Sequence, residues 1–546
     1  MKFVKPHLPR GVSARPRAER VAEAIALRRS GRSIAFAVAL ALATSGCLVG
    51  PDFLEPEEPA VAGYSAKPLS PTVATDAPVG ASQTLRRGED VSAAWWRLFH
   101  SKEIDALVAE AVRNHPDVAA AQAALRQARE TALADGGALL PQASTTDSVT
   151  PQRVSTAEFG QKGAAINYTL YNVSVPVSYT PDLFGGTRRR IESDEAAADY
   201  QRFELEATYL TLTANVVTAA ISDASYADQI KVTNELIASQ QKQLDLLQRR
   251  FELGAVSQSD VLSQKAQLAQ TVAELPPLQK ARAQNRNQLM AYLGRLPSQD
   301  HGEAVSLAGL HLPTALPLTL PSRLVRQRPD IRAAEEQLHE ASANVGVAIA
   351  NMLPSVTLTA SGGSQALAAG QLFGPQTAVA SFEASVSQSL FDGGTLYHKK
   401  EAQKAAFDQA AEKYRSTVIT AFQNVADALV AIKADAALLK AQVDAEKSAQ
   451  ASFEISAAQF RSGSTTYTTV LNAEQTLLNA STNRVKAQAA RLADTTALFQ
   501  ALGGGWWNRV DETIDAVPRP HDGTALSPLA AAIADPHGAA VKDQVR

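Results

Sequence analysis

Cysteine occurs only once in the 546 residues, at Cys47, so no internal disulfide can brace the chain and its stability has to come from packing. Histidine is sparse, with nine residues scattered along the chain, and the patterns HExxH, GxSxG and GxxxxGKS/T are all missing. The spacings of a zinc protease, a serine hydrolase or a P-loop nucleotide site are therefore lacking, and the chain reads as a non-enzyme with no cofactor or metal. Three methionines, one of them the initiator, are too few for a soft-metal relay. A surplus of one charge is lacking too: 52 Lys and Arg stand against 55 Asp and Glu, for a formal net charge of −3, without the basic excess that nucleic acid requires. Past residue 47 no apolar run approaches the roughly 20 residues that a membrane helix needs. If the chain crosses a bilayer beyond that point, it has to do so with β-strands.

The one greasy stretch lies upstream. Residues 34–43 (IAFAVALALA) carry no charge and follow Arg28, Arg29 and Arg32, the make-up of an export signal with a long basic leader over residues 1–46. About ten apolar residues are too few to span a bilayer, so the segment is expected to be removed. The lone thiol sits where that cleavage falls. Thr44-Ser45-Gly46-Cys47 resembles a bacterial lipobox, in which the cysteine takes a diacylglycerol and a further acyl chain such as palmitate, although position 44 holds Thr where the motif prefers Leu. Each buried methylene is worth about 0.8 kcal/mol, so acyl chains on Cys47 would hold the protein firmly to a leaflet. In the same pathway Leu48, standing in place of an Asp, implies release from the inner membrane, and residues 47–100 become a lipid-anchored extended segment.

The chain also repeats itself. NHPDVAAAQAALRQARETALADGGALLPQ (114–142) returns without a gap as QRPDIRAAEEQLHEASANVGVAIANMLPS (327–355), pairing Pro116 with Pro329, Asp117 with Asp330, Leu125 with Leu338 and Pro141 with Pro354. LFGGT (183–187) answers LFDGGT (390–395), RRFELGAVSQSDVL (249–262) answers AQFRSGSTTYTTVL (458–471), and YLG (292–294) answers ALG (501–503). The offsets are all about 208 to 213 residues, and one order of motifs kept over most of the chain is the mark of duplication. The halves run over residues 101–296 and 321–505, joined by a linker at 297–320 and followed by a tail at 506–546 whose Pro, Asp and Ala content points to poor order.

Within each half the pattern is the same. Pro116 and Pro329 suit the first position of a helix, where a missing amide hydrogen costs nothing, and each helix is predicted to run about 23 residues to a Leu-Pro stop. His115 beside Asp117 invites a metal reading, yet the matching place holds Arg328, so a helix start is what fits both copies. Alternating segments follow. Val173, Val175, Val177 and Tyr179 oppose Asn172, Ser174 and Ser178; Val356, Leu358 and Ala360 oppose Ser355, Thr357 and Thr359; Phe382, Ala384 and Val386 oppose Glu383, Ser385 and Ser387. These read as strands within residues 141–182 and 353–392, the first of them at 142–150, with an irregularity expected at Pro176.

Gly185-Gly186 and Gly393-Gly394 then make the strand-to-helix turns. Residues 187–252 and 395–461 hold no proline, and a helix of about 65 residues would measure roughly 98 Å at 1.5 Å per residue. Gly254 and Gly463 end these helices, and return helices of about 38 residues run to Gly294 and Gly503. A return helix stacked on an early short one comes to about 61 residues, close to the long helix beside them. Stretches such as AAAQAALRQARETALA carry narrow Ala and Leu stripes, as suits a hollow palisade with two lateral seams rather than a solid bundle, which needs a broad apolar face. Four strands per chain leave two open edges that lipid cannot hydrate, and closed membrane barrels start at eight, so several copies have to share one barrel.

Together, CLVGPDFLEPE (47–57), the paired NHPD and RPD helices, LFDGGT (390–395) and ALGGGW (501–506) resemble the TolC-like outer-membrane factor family, in its NodT-type lipoprotein branch, over residues 47–507. The resemblance implies an α+β membrane protein: a homotrimer whose twelve strands, four per chain, close one barrel through the outer membrane of a Gram-negative bacterium. A long α-helical barrel, interrupted by a mixed equatorial region, would continue about 100 Å into the periplasm. It implies the exit duct of a tripartite efflux system for drugs or other small molecules, partnered by a periplasmic adaptor (membrane fusion) protein and an inner-membrane pump. The rival classes are the same duct serving type I protein secretion, and a periplasmic coiled-coil scaffold, which leaves the one-sided strands unexplained. By the resemblance, Arg250, Leu253, Gly254, Ala255 and Asp260 in the first helical turn, and Gly463, Ser464 and Val470 in the second, lie at the periplasmic tip and meet the adaptor. Family members often gate the pore with charges in the second turn; here Phe460, Thr465, Tyr467 and Asn472 are the gate candidates, through a hydrogen-bonded or aromatic closure.

Overall fold

The computed structural model describes residues 48–61, 63–65, 70–155, 160 and 164–509, so Cys47, the export signal and most of the tail lie outside the described residues. In chain order the elements are β1 (Thr84–Arg87), α1 (Lys102–Asn114), α2 (Pro116–Gly136), β2 (Gln142–Ala143), β3 (Thr146–Val154), β4 (Ile166–Tyr179), α3 (Gly186–Glu252), α4 (Gln258–Tyr292), β5 (Ala315–Leu318), α5 (Pro321–Gln327), α6 (Pro329–Ala350), β6 (Ser355–Ala366), β7 (Ala378–Ser387), α7 (Thr395–Arg461) and α8 (Tyr467–Ala501). Helix lengths come in matched pairs, 67 residues in α3 and α7, 35 in α4 and α8, and 21 and 22 in α2 and α6. His115 starts α2 by accepting the Asp117 N–H on Nδ1 at 3.2 Å. No helix among the described residues is long and apolar enough to cross a membrane.

The chain divides into two compact units that do not follow the two sequence halves. One comprises the described residues within 48–60, 114–209 and 329–423, the other those within 61–113, 210–328 and 424–509, so each draws on both halves and the boundaries fall inside α3 and α7.

The first unit carries the main sheet, in the order β2-β4-β6-β7 with β3 also on β4, antiparallel throughout. β2 and β3 share one register, with Ala143 opposite Val177 and Thr146 opposite Ser174, so they are a single strand interrupted at Ser144 and Thr145. The interruption faces Pro176, whose nitrogen has no hydrogen to give; β4 itself runs through the proline unbroken, and the one bond still possible, Ser144 N–H to Pro176 O, is made at 3.1 Å. Both outer edges of the ladder, β7 on one side and β2/β3 on the other, have no strand partner among the described residues. On β7 Phe382 and Val386 are 73% and 71% exposed.

In the second unit β1 and β5 form a short parallel pair. α1 buries Ile104, Leu107, Val108 and Ala111, the 3.6-period stripe of a helix with one covered face, and Trp95 stacks on Phe499 at 5.4 Å. Of the two long helices, α3 buries most of residues 212–225, whereas α7 buries far less. Val425, Ala428, Ile432, Ala436, Leu439 and Val443 of α7 recur every three or four residues, a single seam. Burial is also unequal between equivalent helices: α4 buries four residues and α8 nineteen, and in the first unit α2 buries three and α6 eleven. α4 holds its helix through Pro276 and Pro277, which remove two donors from its ladder.

Candidate functional site

The two helical turns are built alike. At the end of α3 the Ala255 N–H reaches Arg250 O at 2.8 Å and the Gly254 N–H reaches Phe251 O at 2.9 Å; at the end of α7 Ser464 reaches Gln459 O at 2.9 Å and Gly463 reaches Phe460 O at 3.1 Å. This paired closure needs its penultimate residue in the left-handed region, and Gly254 and Gly463 supply φ of 72° and 76°. The following helices start differently. Ser257 and Asp260 form a reciprocal capping box on α4, with Ser257 Oγ accepting the Asp260 N–H at 3.2 Å and Asp260 Oδ2 accepting the Ser257 N–H at 3.1 Å. Thr466, which starts α8, makes no such cap. Asp260, expected as a surface contact, is thus a capping residue.

Behind the turns lies a small core of Leu247, Tyr467, Val470 and Leu471, with Val256, Val261, Phe453, Ala457 and Phe460 packed on it. Val470, expected at the contact surface, is 3% exposed and belongs to this core, following Tyr467 by three residues on the inward face of α8. Tyr467 is likewise buried; its hydroxyl donates to Gln264 Oε1 at 2.6 Å and lies 3.1 Å from Gln243 Oε1, so within one chain it ties α8 to α4 and α3. Phe460 leans on the Tyr467 ring at 4.9 Å, and the Arg250 guanidinium lies 6.0 Å from the Phe460 ring centre. Leu253 is 83% exposed, Gly254, Ala255, Gly463, Ser464 and Asn472 are exposed, and Thr465 is half-buried. The structure therefore separates the named residues into an outward set at the turns and an inward set beneath them.

A polar layer, unforeseen in the sequence, continues inward from Tyr467. Gln264 Nε2 donates to Gln240 O at 2.9 Å, Gln267 Nε2 to Gln475 Oε1 at 2.6 Å, and Gln243 Nε2 to Glu474 Oε1 at 3.4 Å. Glu474 is fully buried, and burial pushes its pKa up to about 7. The only sequence signal for this layer is that Gln240, Gln264 and Glu474 interrupt positions a seam would fill with Ala or Leu.

At the strand-to-helix turns Gly185 takes φ of 76°, whereas Gly186 is already the first residue of α3; Gly393 and Gly394 take 67° and 85°. Each turn is closed by an aspartate that the motif reading passed over. Asp182 accepts the Thr187 and Arg188 N–H groups at 3.1 and 2.9 Å, and Asp392 accepts those of Gly394 and Leu396 at 2.9 and 2.8 Å. Its backbone donors hold the Asp392 carboxyl below its ordinary pKa. An acidic residue just ahead of a helical run is the signal that finds both.

The family profile described as outer membrane efflux protein matches residues 107–295 and 320–504. The chain is 28% identical over 445 residues to the pyoverdine export outer membrane protein OpmQ of Pseudomonas putida, covering 80% of this chain and 94% of that one. To the toluene efflux pump outer membrane protein TtgC of Pseudomonas putida it is 29% identical over 473 residues, covering 86% and 94%. Among solved structures the outer-membrane channel OprN superposes with a TM-score of 0.75 at 27% identity, covering 84% of this chain and all of that one.

Proposed function

Because the chain belongs to the outer membrane efflux protein family, we propose that three copies of it close one barrel and form the exit duct through which a tripartite pump expels small molecules. It is an outer-membrane transport protein, as its relatives are. The observation that carries the trimer is the open sheet: a four-strand-wide ladder with both edges unpaired among the described residues cannot rest in lipid, and twelve strands from three chains would close it. The unequal burial of α4 and α8, of α2 and α6, and in the opposite sense of α3 and α7, favours the same reading, since α2, α4 and α7 keep flanks that a neighbouring copy would cover. Relatives named for toluene and pyoverdine support small organic cargo. Acylation of Cys47 would anchor the assembly to the outer membrane.

The exposed residues Leu253, Gly254, Ala255, Gly463 and Ser464 form the surface offered to a periplasmic adaptor, and conduction is passive, with the inner-membrane pump supplying energy. An adaptor opens such a tip only by binding the splayed form more tightly, because equal affinity for both forms shifts nothing. Heat-resistant trimers in detergent with ion conductance in planar bilayers are the expected result; monomers without conductance would refute the duct. Gene deletion should raise drug accumulation; loss of protein export with unchanged accumulation would instead assign the duct to secretion. A disulfide engineered between tip helices of neighbouring copies should block conduction until reduced.

A further inference from the structure

The segment just after Cys47 is held in the first unit by contacts the transport reading does not use. Val49 donates its N–H to Phe184 O at 3.2 Å, in the turn that leads into α3. Arg189, one turn into α3 and 2% exposed, spends its guanidinium mostly on this segment: Nε donates to Val49 O at 3.1 Å, and Nη2 to Asp52 Oδ1 at 2.6 Å and Gly50 O at 3.5 Å, while Nη1 goes to Glu192 at 2.8 Å. Next, Phe53 stacks on His339 of α6 at 4.3 Å with the rings 15° from parallel, and His339 is itself held by Glu192 at 3.1 Å and Glu336 at 3.5 Å.

The seat is shaped for a backbone. A Cβ on Gly50 would lie 2.5 Å from the Gly346 backbone, one on Gly346 would lie 2.9 Å from the Arg189 side chain, and one on Gly185 would lie 2.4 Å from Leu48. Three glycines thus leave room where the segment, α3 and α6 meet. A buried arginine is a costly way to pack two helices, because an apolar residue of similar volume does so without desolvating a charge. Three of the four partners of Arg189 lie on the seated segment, and all three are lost when the segment leaves.

We propose that residues 48–53 are a docking strap and Arg189 its positioning residue, and that the seated strap fixes the acyl chains of Cys47 at the strand-to-helix turn, so that anchor and barrel enter the membrane in register. The anchor half of this rests on the lipidation of Cys47 read above; the docking half does not. Cys47 directly precedes Leu48, a Cα step of about 3.8 Å, so a seated Leu48 keeps the point of acyl attachment beside the seat.

Two variants test it in the full-length protein in its native membrane. Arg189→Met removes the grip and keeps the volume. An insertion of about ten Gly and Ser residues between Cys47 and Leu48 leaves every strap contact in place but adds about 17 Å of slack. Intact mass is expected to show the same lipid on parent and both variants. Hydrogen exchange at the Val49 amide should rise about tenfold or more in Arg189→Met and stay unchanged in the insertion variant. The yield of heat-resistant trimers should fall in both. Unchanged Val49 exchange in Arg189→Met overturns the docking, and parental trimer yield in the insertion variant overturns the positioning, because a strap that only packs helices is intact there. A parent without lipid mass would sink the anchor reading, and the docking would still be decided by Val49 exchange alone.

Discussion

Beneath the turns that end the long helices, polar side chains are buried among the apolar ones, and Glu474 is the extreme case. It has no exposed surface, is flanked by Gln240 and Gln243, and has no cation paired with it among the described residues. An unfolded chain ionises this carboxyl from its ordinary 4.5 upward, whereas burial in the folded chain holds the proton until about 7. Its contribution to stability is therefore complete below 4.5, falls as pH rises between the two values, and stays low above about 7. Glu474→Gln removes that slope. Melting of the variant in detergent should match the parent below 4.5 and exceed it above 7, by on the order of 3 kcal/mol at most. A parent and variant with parallel pH profiles would show that Glu474 is ionised in place. Tyr467→Phe should cost about 1 to 3 kcal/mol by leaving Gln264 Oε1 buried without a donor, measurable as a lower denaturation midpoint.

Element by element, the two halves are matched in length and in how their long helices begin and end, and differ in how the return helices begin. α4 has a reciprocal cap from Ser257 and Asp260, and α8 has none from Thr466. Ser257→Ala should therefore cost about 1 kcal/mol and loosen amide protection in the first turn of α4, while Thr466→Ala should leave the first turn of α8 almost as it was. Equal losses at both sites would mean that packing, not capping, holds the tips. Replacing Asp260 should likewise fray the first turn of α4, so a loss at the proposed adaptor surface would need no direct contact from its carboxylate.

For the whole molecule, the governing fact is that one chain leaves surfaces exposed that water or lipid would penalise. Phe382 and Val386 stand open on β7, and the sheet ends on two unpaired edges among the described residues. If that face meets lipid in the closed barrel, Phe382→Arg should cost about 2 to 4 kcal/mol at mid-bilayer and deplete heat-resistant trimers on gels. A full yield of trimers would put Phe382 on the water side of the wall.

The amino-acid order by itself determined whatever depends on neighbours a few positions away. Period-two alternation marked β4, β6 and β7, proline and glycine punctuation marked the helix ends, and the recurrence of NHPD and RPD marked equivalent starts at Pro116 and Pro329. Even the break opposite Pro176 follows from a missing hydrogen, although it fell on the partner strand, because a proline can keep its own extended backbone while denying a bond to its neighbour. Tertiary structure alone decided which polar residues go inside. Val470 and Tyr467 look in sequence like any turn-proximal residues; they are buried because α3 and α4 arrive against them from more than 200 positions away. Arg189 reads as one of three consecutive arginines, and only the return of residues 48–53 across about 140 positions gives it carbonyls to grip. Burial is a property of the partner surface, and no local pattern encodes which distant segment will supply it.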